Sequence, residues 1–412
     1  MVLKPSDILA ELVAIASVNP MGRSVAAGEL FERPLTEFLE RWFRSLGLET
    51  FRQTIEPNRD NIVARFDGDG ADCPVVLFDA HQDTVPVEGM TIDPFRPVVR
   101  DGRLYGRGAC DIKGGMAAML AAVARLADER PKPRPTVLMS CTVNEEHGFT
   151  GAQGLCRLWS HVDASHVDAS LRDANASLGE TRPHCVVVAE PTELEVVVAH
   201  KGMVRWQCRS KGRAAHSSVP DRGANAIFRM TPVLSALAQY QSELAAKAAE
   251  HPLCGKPTLS VGTIRGGISV NTVPDLCTIE IDRRLLPEDD PASVYREVID
   301  YVARHVEHAD YIEHLPPIMQ SRGLSDANNA ALADRLVATV REVQGTAKKS
   351  GVPFGTNATA FGSLFPTVVF GPGSIAQAHT ADEWIELEQV ERASEILYRF
   401  LRNAATIREP IV

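Results

Sequence analysis

Short apolar runs bounded by Gly, Pro or Asp alternate with longer stretches of helical period over residues 1 to about 198. The pattern predicts helices near 7–17, across 30–46 and over 115–128, and strands at 61–66, 75–79, 136–142 and 185–189. Alternation of this kind signals βαβ units around a largely parallel sheet, because parallel strands need long crossovers between them. The rhythm changes between about 199 and 314. There a strand (MVRWQCRSKG), a helix (AIFRMTPVLSALAQYQSELAAKA), two strands (TLSVGTIRGG and DLCTIEIDRRLL) and a helix (PASVYREVIDYVARHVEH) follow one another. This βαββα block reads as a compact α+β domain inserted into the first. A helix at 326–343, a strand at 366–370 and a helix at 386–402 then resume the earlier pattern. The expectation is an α/β fold, a mostly parallel sheet with helices on both faces, made from residues 1–198 and 315–412 and interrupted by an α+β domain at 199–314.

A chain of 412 residues exceeds a single compact core and fits two or three domains. Its net charge of −10 argues against a nucleic-acid partner and against an anionic membrane surface. No run of about 18 apolar residues is present. The opening stretch MVLKPSDILAELVAIASVNP lacks the apolar core and cleavage site of a secretory signal, and Ser6 or Asp7 is expected to cap its helix. These features point to a cytoplasmic protein. The eight cysteines fall singly, mostly in apolar runs, as buried free thiols in a reducing compartment would. The tandem pentapeptide HVDASHVDAS at 161–170 carries His and Asp but no apolar framework, and reads as a solvated loop.

What changes the picture is the position of the polar chemistry. His81 follows PVVLFDA, Asp111 closes GRGACD, Glu145 and Glu146 follow TVLMSCTVN, Glu190 follows CVVVA, and His379 comes shortly after TVVFGPG. In an open α/β sheet, ligands bind where such strands end. Each residue alone has an ordinary structural explanation: Asp111, for example, would serve as the N-cap of the helix opened by Gly114 and Gly115. Together, two His and four carboxylates at strand ends have the composition of a binuclear metal site with a spare carboxylate as base. Asp83, two residues beyond His81, is suited to orient that imidazole through its other nitrogen.

The segments HQDTVP (81–86), GRGACDIKGG (106–115), NEEHG (144–148), EPT (190–192) and AHTADEW (378–384) resemble those of the M20 metallopeptidase family, which contains dinuclear zinc amidohydrolases and exopeptidases. The resemblance covers nearly the whole chain. It implies that His81 and Glu190 hold one Zn²⁺, that Glu146 and His379 hold the other, and that Asp111 bridges them. Glu145 would be the general acid/base acting on a metal-bridging water, with Asp83 behind His81. All these donors are N or O, so Co²⁺ or Mn²⁺ would also be accepted.

The same resemblance implies that the inserted domain dimerises the chain and acts as a lid, with His216 of GRAAHSS reaching across the dimer to an oxyanion. It also assigns Asn271 and Arg283 to the substrate carboxylate. Arg284 is the neighbour to distinguish, since adjacent strand residues face opposite sides. One departure stands out: GVPFGTNATAF carries Asn357 where the family often has Asp, which is expected to remove a charge near the substrate's amine or side chain.

The implied activity is hydrolysis of the amide of an N-acyl-amino acid, like that of acetylornithine deacetylase or succinyl-diaminopimelate desuccinylase. A carboxypeptidase or dipeptidase acting on short peptides is the alternative. A non-catalytic metal-dependent binding protein is the contrasting class, and the presence of Glu145 beside a complete ligand set argues against it.

Overall fold

The apolar runs of the first part become neighbours at the centre of an eight-stranded sheet in the computed structural model, which describes residues 4–23, 31–70, 72–160, 177–307 and 309–404. Strands Thr136–Thr142, Val75–His81, Cys185–Val188 and Thr367–Val369 lie side by side in that order, all parallel. Every residue of Val75–His81 is buried, which is why its apolar residues run consecutively rather than alternating. Arg59–Phe66 and then Glu49–Glu56 extend the sheet antiparallel on one side; on the other comes Val196–His200, also antiparallel, and then Lys349–Val352. The pentapeptide repeat at 161–170 lies outside the described residues.

The chain separates into two compact units: Met1–Val198 with Asp326–Ser350 and Thr356–Val412, and Ala199–Ser325 with Gly351–Gly355. In the first unit the helix Gly114–Glu129 packs on Val75–His81 and Thr136–Thr142 and is covered in turn by Pro5–Val13 and Leu387–Ala404. Its small residues suit that double contact, and it is buried from Gly114 through Ala124. The first helix starts at Pro5 with Lys4 as its cap, so neither Ser6 nor Asp7 caps it. Proline at the first helical position is preorganised for the helix, and Asp7 lies in the first turn where the helix dipole favours an anion. Among the described residues, no helix is long and apolar enough to cross a membrane.

The second unit is an antiparallel sheet in the order Thr258–Gly266, Leu276–Leu285, Gly202–Lys211, Ile312–His314. Helices Ala226–Lys247 and Pro291–His305 close its core around Trp206, Ile279, Ile281, Met230, Leu237 and Val298. This unit runs past the boundary expected at 314. Met319–Ser321 also pairs with Gly202–Lys211, Leu324 exchanges backbone hydrogen bonds with His200, and Lys201 N donates to Val352 O, which draws in Gly351–Gly355.

Candidate metal centre

The parallel strands deliver the chemistry at their carboxyl ends. His81 is the last residue of its strand; Glu145 and Glu146 follow Thr142, and Glu190 follows Val188, on the two neighbouring strands. His379 comes from the loop after Thr367–Val369, and Asp111 from the turn that precedes Gly114–Glu129. Asp111 does not cap that helix. The cap position is Lys113, and the Asp111 carboxylate points to the two imidazoles instead.

Asp111 is the hub. Its Oδ1 lies 3.1 Å from His81 Nε2, and its Oδ2 lies 3.2 Å from His379 Nε2. The same His379 nitrogen is 3.2 Å from Glu146 Oε2. Donor atoms of His81, Asp111 and Glu190 lie within 4.8 Å of one another, and so do those of Asp111, Glu146 and His379. Glu146 Oε1 and Glu190 Oε1 are buried without a hydrogen-bond partner. Burial raises the pKa of Glu145 and Glu190 well above the carboxylate range, and each is pushed further by its acidic neighbours. Glu146 is raised to about 7 by burial and by Asp111. Burial also opposes the charge of Asp111, but the bonds from His379 and His81 outweigh it and hold Asp111 below the usual range. The bonds to Asp111 and Glu146 raise His379 to about 10. Buried acids that repel each other and leave oxygens unpartnered are what a cation would satisfy, and the nitrogen and oxygen donors fit a divalent one.

Behind this group, Asp83 meets the other nitrogen of His81 through its backbone carbonyl, and a further residue supports the site. His81 Nδ1 is held by the backbone carbonyl of Asp83 at 2.8 Å, whereas the Asp83 carboxylate stays 3.8 Å away. A carbonyl only accepts, so Nδ1 carries the proton and Nε2 is left for a ligand. The Asp83 carboxylate instead accepts the backbone N–H groups of Glu145 and Glu146, both at 3.1 Å. Glu383, which the sequence reading passed over, accepts the N–H groups of Gly108, Cys110 and Asp111 at 2.9–3.0 Å and pairs with Arg107 at 2.7 Å. It fixes the Asp111 turn. Its only signal in sequence is its place in AHTADEW, four residues after His379.

Two further residues sit otherwise than expected. Asn357 is fully buried, its Nδ2 donating to Asp79 and Thr142, while its Oδ1 has no hydrogen-bond partner among the described residues. Arg283 lies on the core face of its strand with Cys277, Ile279, Ile281 and Leu285, its guanidinium against the Tyr240 ring. Strand alternation sends Arg284 to the opposite face, where it pairs with Asp282 at 2.8 Å. His216 and Asn271 are brought together in the second unit: His216 pairs with Thr272, and Ser217 N donates to Asn271 O at 3.0 Å. Both side chains are exposed.

A cluster of acids with one buried and one half-exposed imidazole at the carboxyl edge of a parallel sheet marks a metal-dependent hydrolase. The chain belongs to Peptidase family M20/M25/M40, which it matches over residues 77–403, and it acts on amide or peptide bonds with the help of divalent metal. It is 31% identical over 386 residues to the acetylornithine deacetylase of Pasteurella multocida (strain Pm70), covering 91% of this chain and 92% of that one. The M20 family metallo-carboxypeptidase Sso-CP2 from Sulfolobus solfataricus shares the fold with a TM-score of 0.77 at 17% identity, covering 98% of this chain and 100% of that one. The di-peptidase Dug1p from Saccharomyces cerevisiae does so with a TM-score of 0.75 at 15% identity, covering 98% and 96%.

Proposed function

We propose that the protein is a dinuclear zinc deacylase that hydrolyses the amide of an N-acyl-amino acid, with a free amino acid and a carboxylate as products. His81 and Glu190 would hold one ion, Glu146 and His379 the other, and Asp111 both. The observation that carries this reading is that the two oxygens of one buried carboxylate, Asp111, each face a different imidazole. Two bound cations would supply an acidified water and polarisation of the amide carbonyl. Glu145 belongs to neither donor group, and its raised pKa suits a group that takes a proton from the attacking water and gives it to the leaving nitrogen. The deacetylase relatives, similar over nearly their whole length, support an N-acyl substrate.

In the second unit, Arg284 rather than Arg283 is the candidate for the substrate carboxylate, together with Asn271, and His216 is the candidate for the oxyanion. Dimerisation through this unit is supported by its apolar exposure. Ile264 lies on the edge strand Thr258–Gly266, while Phe228, Ile268 and Val270 are 74%, 91% and 100% exposed. An unpaired edge flanked by apolar residues suits a second copy of the chain.

The test is turnover by the zinc- or cobalt-loaded protein on a panel of N-acetyl-amino acids, N-succinyl-amino acids and dipeptides. Faster cleavage of the N-acyl compounds is expected. Faster cleavage of dipeptides would favour the peptidase reading, which the fold shared with a carboxypeptidase and a di-peptidase keeps in view.

A further inference from the structure

Arg59 opens the strand Arg59–Phe66 and is 4% exposed, yet none of the chemistry above uses it. Its Nε and Nη2 grip the carboxylate of Glu32, which is fully buried. Its third nitrogen, Nη1, turns away from that pair and donates to Asn144 Oδ1 at 2.9 Å, with Glu56 Oε2 at 3.2 Å. The Phe31 ring lies against the guanidinium, 5.6 Å from its centroid. Asn144 immediately precedes Glu145 and has a left-handed backbone, φ 62°, a conformation that asparagine tolerates better than most residues.

From Asn144 the contacts continue without a break. Its Oδ1 also accepts from Asn19 Nδ2 at 3.0 Å, and that same amide donates to Asp83 Oδ2 at 2.8 Å. Asp83 in turn holds the N–H groups of both Glu145 and Glu146. The Asn144 amide donates to Thr150 Oγ1 at 2.9 Å, and its carbonyl accepts from Phe149 N at 2.8 Å, which closes the turn from the far side. The turn carrying the two glutamates is therefore held at its backbone amides by Asp83 and at its entry by Asn144, and both holds lead back through buried polar groups to Arg59.

A buried ion pair gains little stability over apolar residues of similar volume, because desolvating the charges offsets their attraction. Its distinctive property is direction. A planar guanidinium offers donors in fixed orientations, so a carboxylate that occupies two of them dictates where the third points. Reacting groups tolerate displacements of only about 0.5 Å, and a rigid outer support is how such tolerance is met.

We propose that Arg59, oriented by Glu32, is a positioning residue for the Glu145–Glu146 turn, acting through Asn144 and the Asn19–Asp83 pair. The proposal rests on the roles given to Glu145 and Glu146 above. It concerns how those residues are held, not whether they react.

The experiment compares the full chain with Arg59→Met, Arg59→Lys and Asn144→Gly. The last keeps the left-handed backbone but deletes the side chain, so it cuts the relay downstream and leaves the Glu32–Arg59 pair in place. Amide hydrogen exchange of Glu145 and Glu146 is read against the strand Thr136–Thr142 in the same protein. In Arg59→Met and Asn144→Gly, exchange at the two glutamates is expected to quicken by about tenfold or more, with the strand unchanged, since local opening is separable from global unfolding. With zinc bound and an N-acetyl-amino acid as substrate, kcat is expected to fall by about 10- to 100-fold, the scale of a misplaced reacting group. KM should stay within about twofold, since substrate contacts are untouched.

Arg59→Lys, which keeps the charge but lacks the third arm, should behave like Arg59→Met. Exchange at Glu145 and Glu146 that matches the parent chain, or that quickens only in step with the strand, overturns the proposal, as does full recovery by lysine. If the parent chain hydrolyses no N-acyl compound, the functional reading fails while the exchange comparison still decides this one.

Discussion

Asp79 and Asn357 form a buried carboxylate–amide pair, with Asn357 Nδ2 donating to Asp79 Oδ2 at 3.0 Å, two residues before His81 on the same strand. Ser140 and Thr142 donate to the same carboxylate. Burial nevertheless lifts Asp79 to a pKa of about 6. Changing Asn357 to Asp would place a second acid against it and force the pair to retain a proton. An acid whose folded pKa is raised adds stability below its unfolded value and loses it as pH rises through the folded one. Asn357→Asp is therefore expected to lose roughly 1–3 kcal/mol at pH 8 and to recover much of it at pH 5. Urea unfolding at the two pH values checks this, and a loss independent of pH would contradict it.

Metal binding should release protons. Ligands must be deprotonated to coordinate. Without a cation, His379 titrates near 10 and Glu146 near 7, while His81 and Glu190 are also raised. At pH 7 several of these groups hold protons that zinc must displace, so apparent affinity should rise as pH increases from 6 to 8. Calorimetric titration in buffers of different ionisation heat measures the release. Heats that do not depend on the buffer would count against the donor set.

Glu383 governs the Asp111 turn without touching a substrate. Glu383→Ala leaves the Arg107 charge buried without its carboxylate and three backbone N–H groups without their acceptor, a change on the order of 3–5 kcal/mol. Thermal unfolding should show the loss, and zinc should be held more weakly. Glu383→Gln, which retains one acceptor oxygen, is expected to fall between the two. Parent-like zinc affinity in Glu383→Ala would show that the turn holds its shape by other means.

The two adjacent arginines separate packing from binding. Arg284→Ala should raise KM for an N-acetyl-amino acid by about 10-fold or more, the scale of a lost charge-assisted hydrogen bond, with stability little changed. Arg283→Ala should leave KM near the parent value and lower stability by about 1–3 kcal/mol, as a truncation on the core face does. The reverse pattern, read from steady-state kinetics and urea unfolding, would return the role to Arg283.

His81, Glu145, Glu146 and Glu190 were legible as candidates because each closes or follows an apolar run, and parallel strands carry their ends to one edge; Asp111 and His379, on a turn and a loop, were singled out by the motifs around them. The supports were not. A His-x-Asp spacing does not reveal which oxygen of Asp83 meets the ring, and here it is the carbonyl. Glu383 and Asp111 are 272 positions apart, and no periodicity reports that their segments meet. Arg283 and Arg284 are told apart only by the register that fixes which face of Leu276–Leu285 meets the core. Asn357 was placed near the substrate by the family resemblance of its loop; that its amide meets Asp79 was hidden, because an acid within an otherwise apolar strand gives no sign of what will satisfy it. The strand Glu49–Glu56 escaped notice for a similar reason: as the sheet's outer strand it buries only Phe51 and Gln53.

The most direct test of a metal pair served by a separate proton carrier is to measure zinc content and turnover together in Glu145→Gln. With His81, Asp111, Glu146, Glu190 and His379 intact, about two ions per chain should remain. Hydrolysis should fall by at least the roughly 10²–10⁴-fold that a general base contributes. Turnover that persists with both ions bound, or ions lost along with Glu145, would contradict it.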